Sequence, residues 1–227
     1  MEKVNYLLLT SNPIHKNLIN KLNSLEHINW FLVDNKLLFK TDYLEKNKIE
    51  CIFIPHWSYI IPQEIYNNYT CILFHMTDLP FGRGGSPLQN LIKLGFKKTK
   101  ISALKVINEI DAGPIYLKKN LDLSGSAKEI FKRTSKVVYD MILEIIQNKI
   151  EPYPQKGNPF YFKRRTAAQS RVQGIKSIVE LFDHIRMLDC EGYPKAYTEI
   201  DDFILEFDNA HMTDEKNITA NVRIFKK

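Results

Sequence analysis

Apolar residues in the first half of the chain fall in short unbroken runs, separated by stretches with helical spacing. Val4–Thr10 (VNYLLLT) is continuously apolar and predicts a buried strand. Between positions 13 and 25, Ile14, Leu18, Ile19, Leu22 and Leu25 recur as one face of a helix. Trp30–Val33 predicts a second strand, Tyr43–Lys48 a short helix, and Ile49–Ile54 a third strand. Gln63–Asn68 then predicts a helix and Thr70–His75 a fourth strand. Strands alternating with helices imply a parallel sheet with right-handed crossovers. Ligands bind such sheets beyond the carboxyl ends of the strands, where His75 falls.

Further on, TDLPFGRGGSP (77–87) is rich in Gly and Pro and reads as a loop. Leu88–Leu94 predicts a short helix stopped by Gly95. Strands at Lys100–Ile107 and Pro114–Lys118 bracket the sequence NEIDAG. Ser126 followed by Glu129 forms a capping box that opens a helix running to about Asn148. Pro152, Pro154, Gly157 and Pro159 mark residues 151–159 as a linker. Beyond it come a helix near 175–187 and strands at Ala196–Ile200 and Phe203–Phe207, a hairpin turning at Asp201–Asp202. The expected fold is α/β: a Rossmann-like, mostly parallel sheet with flanking helices over residues 1–150, and a small C-terminal α+β or β-rich appendage over 160–227.

Composition adds limits to this picture. Hydrophobic residues at 44% and charged residues at 26% suit a soluble globular chain rather than a disordered one. The net charge of +6 favours anionic partners, or is simply a solvated basic surface. Cys51, Cys71 and Cys190 have no metal-ligand spacing, so no metal is expected. Their odd number argues against a disulfide framework and for a reducing compartment. The apolar run after Met1 is too short to span a bilayer and lacks a signal-peptide layout. A cytoplasmic protein with no membrane partner is the expectation.

Three segments carry chemistry: FHMTDLPFGRGGSPLQNLI (74–92), INEIDAGPIY (107–116) and FKRRTAAQS (162–170). Together they resemble the folate-dependent formyltransferases, a superfamily that includes methionyl-tRNA, glycinamide ribonucleotide and sugar N-formyltransferases. The family pattern is Asn-x-His-x-Ser-x-Leu-Pro, a glycine turn, a Pro-x-Gln helix start and a later Asp-x-Gly. His75, Thr77, Leu79, Pro80, Gly84, Pro87, Gln89, Asp111 and Gly113 fall in register with it. The resemblance implies formyl transfer from N10-formyltetrahydrofolate to an amine. That chemistry needs a donor for a developing oxyanion and a route for the proton leaving the nucleophile. By resemblance, His75 meets the oxyanion or relays the proton, Asp111 orients His75 and favours its charged form, and Thr77 stands beside them.

One position departs from the family: Leu73 replaces the Asn two residues before the histidine, and alternate strand residues share a face. Either Thr77, Asn90, Asn108 or a backbone N–H replaces the missing donor, which is the preferred reading, or the protein is a weak relative that binds without catalysing.

The segment PHWSYIIPQEI (55–65) occupies the place of the family's pteridine-binding loop. Trp57, Tyr59, Ile60, Ile61 and Pro62, with Glu109 and Ile110, are therefore candidate folate contacts; an aromatic-rich turn packed on the core is the alternative. On the acceptor side the candidates are Arg83, Gly84, Gly85, Ser86, Gln89, Asn90, Lys163, Arg164 and Arg165. Arg83 can reach an anion or stand solvated. Lys163–Arg165 resembles a stretch near the acceptor site of amino-sugar formyltransferases, or is a solvated basic face.

The resemblance of 185–207 to the appendage of enzymes acting on UDP- or dTDP-linked 4-amino-4,6-dideoxy sugars makes a sugar nucleotide the first-choice acceptor. Pseudaminic-acid-type pathways give the nearest resemblance. Methionyl-tRNA formylation is the alternative, set second because little chain follows Pro159 to bind tRNA; no nucleic-acid partner is expected. A homodimer through the C-terminal strands is left open.

Overall fold

The computed structural model describes residues 3–227; Met1 and Glu2, where the run toward the first strand begins, lie outside the described residues. In chain order the elements are β1 (Val4–Thr10), α1 (Pro13–Lys16), α2 (Leu18–Leu22), β2 (Ile28–Val33), α3 (Thr41–Lys46) and β3 (Cys51–His56). They continue with α4 (Gln63–Asn68), β4 (Thr70–His75), β5 (Phe81–Gly84), α5 (Pro87–Lys93), β6 (Lys98–Lys105) and β7 (Ile115–Asp122). The remainder is α6 (Ala127–Asn148), β8 (Phe160–Phe162), α7 (Ile178–Arg186), β9 (Ala196–Ile200), β10 (Phe203–Met212) and β11 (Ile218–Lys226).

Six strands form one sheet in the order β2-β1-β3-β4-β6-β7. β1 pairs in parallel with β2 and β3, and β3 with β4; β6 runs antiparallel to β4. This is the expected Rossmann-like, mostly parallel sheet. Its strands read as unbroken apolar runs because both faces are covered. Leu7, Leu9, Val33, Ile52, Ile54, Ile65 and Cys71 fill one face. On the other, the Phe53 ring meets Tyr6, Trp30 and Phe74. In α6, Thr134, Val138, Met141, Ile142 and Ile145 are buried at helical spacing.

Contacts along the chain group into two compact units. The first comprises the described residues up to Gly84, Thr99–Leu121 and Phe131–Tyr161; the second comprises Gly85–Lys98, Asp122–Ile130 and Phe162–Lys227. Within the second, β9, β10 and β11 form an antiparallel sheet against which α7 packs. Arg186, almost fully buried, ties this unit together. Its guanidinium bonds Asp183 at 2.6 Å and the carbonyls of Leu123 and Gly125 at 2.7 Å.

Three local differences from the sequence reading have physical causes. The expected helix over 13–25 is split into α1 and α2 at Asn17, which closes the first and opens the second. The expected loop 77–87 contains β5, which pairs with the distant β8, a partner that local pattern does not reveal. The appendage has a third strand, β11, largely exposed on both faces and so without one-sided alternation. The capping box at Ser126 and Glu129 is formed, with the Ser126 amide 2.8 Å from the Glu129 carboxylate. Among the described residues no helix is long and apolar enough to cross a membrane.

His15 is fully buried beside His56 and Phe131, and neither ring nitrogen has a hydrogen-bond partner among the described residues. Burial first, then the nearby His56, pushes its pKa down to about 3.

Candidate active site

His75 stands at the carboxyl end of β4, paired across to Ser102 on β6. The Ser102 hydroxyl donates to the Thr77 carbonyl at 2.7 Å and accepts from the Leu79 amide at 3.3 Å. This fixes the turn that follows His75. Just beyond, Asp78 is held by Lys118 at 2.6 Å and Lys100 at 3.0 Å.

His75 is almost buried, and both its ring nitrogens face oxygen. Nε2 donates to the Gly82 carbonyl at 2.8 Å, and Nδ1 lies 3.6 Å from Oδ2 of Asp111. The second distance is too long for a hydrogen bond. The same Asp111 oxygen accepts the Gly84 amide at 2.8 Å. Glycines 82 and 84, with φ of 77° and 100°, let β5 present a carbonyl to one partner and an amide to the other. Asp111 itself has φ of 53°, the left-handed region that strains a residue with a side chain. Gly113 is obligatory beside it, because a Cβ there would lie 1.7 Å from the Lys105 carbonyl oxygen.

Thr77 is fully buried and its hydroxyl donates to Gly82 at 3.4 Å, so it braces β5. Leu73 packs on Leu79, Leu104 and Ile115, leaving no polar group at the position where the family has Asn. Among the suggested replacements, Asn90 is committed to the carbonyls of Gly85 and Lys163. Asn108 is exposed and accepts a long bond from Tyr66, while its amide nitrogen has no partner among the described residues.

Arg83 differs from its expected role as a free anion ligand. It is 8% exposed and its guanidinium is spent within the protein. It bonds Glu109 at 2.8 Å, the Tyr161 hydroxyl at 3.1 Å, and Oε1 of Gln155 through two nitrogens at 2.8 and 3.3 Å. Gln155 in turn donates to the carbonyls of Asp111 and Gly113, each at 2.8 Å. Sequence reasoning missed Gln155 and Tyr161 as site residues; a glutamine in a proline-rich stretch gives no signal of its own.

The folate candidates in the loop after β3 form an aromatic group. Trp57 packs against Phe39 and Tyr59, and the Lys36 ammonium lies 5.0 Å from the Tyr59 ring centre. Ile61 is buried and Pro62 caps α4, while Ile60 and Ile110 are 76% and 56% exposed. The Trp57 indole nitrogen is buried without a partner among the described residues. A flat heterocycle with a polar edge fits this set: apolar faces and an unmet donor.

The remaining acceptor candidates gather in the second unit. Gly85 is required because a Cβ would sit 2.6 Å from that of Arg164. Ser86, with φ of 53°, accepts the Arg165 amide at 3.1 Å, and the buried Gln89 donates to the Met187 carbonyl at 3.3 Å. Lys163 and Arg164 are exposed. Arg165 is half-buried and donates to the Gln169 carbonyl, and burial lowers its pKa.

Comparison with known proteins gives this geometry a context. The solved structure of methionyl-tRNA formyltransferase from Clostridium thermocellum is 43% identical, with a TM-score of 0.95, across 99% of this chain and 100% of that one. The chain belongs to the formyltransferase superfamily. The family model for the C-terminal domain of methionyl-tRNA formyltransferase matches residues 167–225. The curated methionyl-tRNA formyltransferase of Francisella philomiragia is 28% identical over 81% of this chain, which spans only 60% of that relative's length. A sugar N-formyltransferase from Shewanella sp. shares the fold at 15% identity and a TM-score of 0.67, covering 91% of this chain and 97% of its own.

Proposed function

We propose that the protein transfers a formyl group from N10-formyltetrahydrofolate to the amine of an aminoacyl-tRNA, methionyl-tRNA first among them. The observation that carries this is likeness along the whole chain, at 43% identity, to a protein of that name. The family-model match over 167–225 points the same way. This reverses the preference drawn from the sequence alone, which put an amino-sugar nucleotide first. The sugar N-formyltransferases lie far below the identity at which a likeness bears on substrate.

When bound, the folate supplies an activated formyl carbon next to the attacking amine. The chain's own residues do the rest. Asp111, fixed by the Gly84 amide, holds the His75 ring in one orientation. His75 is positioned to take the proton an attacking amine must lose, once its Nε2 leaves the Gly82 carbonyl for a reacting group and the ring proton sits instead on Nδ1, the nitrogen that faces Asp111. Trp57, Tyr59, Ile60 and Ile110 would hold the pteridine. Asn108, whose amide nitrogen donates to no described residue, is the candidate to replace the donor that Leu73 lacks.

The test is formyl transfer from N10-formyltetrahydrofolate to methionyl-tRNA and, in parallel, to UDP- and dTDP-linked 4-amino sugars, with products read by mass spectrometry. Formyl-methionyl-tRNA, lost in His75→Ala and Asp111→Asn, is the expected result. A formylated sugar nucleotide instead would restore the sugar reading. No product with any acceptor, despite folate binding, would leave a binding protein whose Leu73 has replaced a catalytic donor.

A further inference from the structure

We infer that Gln155, clamped by Arg83, is a positioning residue for Asp111. Four links close a ring around the catalytic carboxylate. The backbone of β5 reaches Asp111 through the Gly84 amide. The main chain of Asp111 reaches Gln155 through the carbonyls of Asp111 and Gly113. Gln155 reaches Arg83 through its Oε1. Arg83 returns to β5 because it is the residue between Gly82 and Gly84.

Every hydrogen-bonding capacity of Gln155 is used: both amide hydrogens on carbonyls and both oxygen lone pairs on the guanidinium fork. The cation polarises the amide, which strengthens its hold on the two carbonyls. One of those carbonyls belongs to Asp111 itself, the residue at φ 53°, and the other to Gly113 two positions on; such a conformation persists only where its surroundings over-determine it. The stretch carrying Gln155 is itself anchored. Tyr153 exchanges both backbone hydrogen bonds with Ile115, at 2.7 and 2.9 Å, and the Phe160 amide donates to Pro80 at 3.2 Å. What sequence reads as a linker lies along the catalytic turn as a strap.

The activity arm of the test rests on the formyl-transfer reading; the spectroscopic arm does not. Gln155→Met keeps the length and loses all four bonds. Gln155→Glu keeps the bond to Arg83 and loses the donation to the carbonyls. Both are expected to lower kcat by about 10²-fold while changing KM for folate and acceptor by no more than about 3-fold, as misplacement of a catalytic group does. In the same variants, the ring ¹⁵N signals of His75, assigned by difference with His75→Gln, shift from the wild-type pattern. Arg83→Lys, which keeps charge without the fork, reproduces the shift in weaker form. Wild-type His75 signals in a folded Gln155→Met or Gln155→Glu would overturn the inference, whatever the activity. Wild-type protein inactive on every acceptor, but with the expected His75 shift in the variants, would sink the function and leave the positioning role standing.

Discussion

Gly113→Ala is a sharp test of the turn that carries Asp111, because its effect can be worked from one distance. The added Cβ would lie 1.7 Å from the Lys105 carbonyl oxygen and 2.9 Å from its carbon. Contacts under 3.0 Å are essentially never seen for real Cβ atoms, so the turn and β6 must part by more than about 1 Å. Neither side is loose: the Lys105 amide donates to Pro114 at 2.9 Å, and the Gly113 carbonyl accepts from Gln155. Overpacking of this kind costs about 1–3 kcal/mol. For a chain of this size that lowers Tm by on the order of 2–12 °C. Because the displaced residue sits two positions from Asp111, the role proposed for Asp111 predicts that a misplacement near 1 Å also removes about 10²-fold in rate. Circular dichroism melts and formyl-transfer assays at saturating substrate would measure both. Gly174→Ala serves as the control, since no atom lies within 4 Å of the new Cβ and only its positive φ is strained. A Gly113→Ala protein with wild-type Tm and wild-type kcat would refute the argument that this turn is sterically fixed.

Arg186→Met should destabilise by about 3–5 kcal/mol, because it leaves the nearly buried Asp183 with only the 3.7 Å Lys97 contact; urea unfolding would measure the loss. His15 stays neutral in the fold down to about pH 3 but takes a proton below its ordinary 6.5 when unfolded, so its contribution is whole above pH 6.5 and lost on acidification. Stability should fall by about 1.4 kcal/mol per pH unit through this group between pH 6.5 and 3, and His15→Leu should show a shallower drop in Tm from pH 7 to 5.5 than wild type. All three cysteines are free, and burial raises each thiol pKa, that of Cys71 to about 12. The native protein should react slowly with a thiol reagent and release three equivalents only on denaturation; rapid labelling of the folded protein would contradict the burial.

How much of this could be read from the residues depends on where each partner lies in the chain. β1, β3 and β4 announce themselves as apolar runs because both their faces are covered, and α4, β4 and β9 fall on the residues expected of them. The capping box at Ser126 is equally visible, its two halves being three positions apart. β5 was hidden behind its glycines, since its partner β8 comes much later in the chain. Gln155 was invisible for a deeper reason: it recognises main-chain carbonyls, which every residue carries. Arg83 reads as an anion ligand or a solvated loop arginine because nothing local predicts Glu109, Gln155 and Tyr161 converging on it. The acceptor was not legible either, because the motif that marks formyl transfer is shared by enzymes with different acceptors.

The strap also sets an order of events during synthesis. His75 and Asp111 both leave the ribosome before Gln155, and the backbone amide and carbonyl of β5 are ready for them. The clamp on the strained turn cannot close until the chain has been made through Gln155. A nascent chain halted within α6 would hold a complete β1–β4 sheet beside an Asp111 still free to leave its left-handed conformation. In chain order, then, the strap is the last of these pieces to be made, after every strand of the six-stranded sheet and both residues that the strap's clamp holds in place.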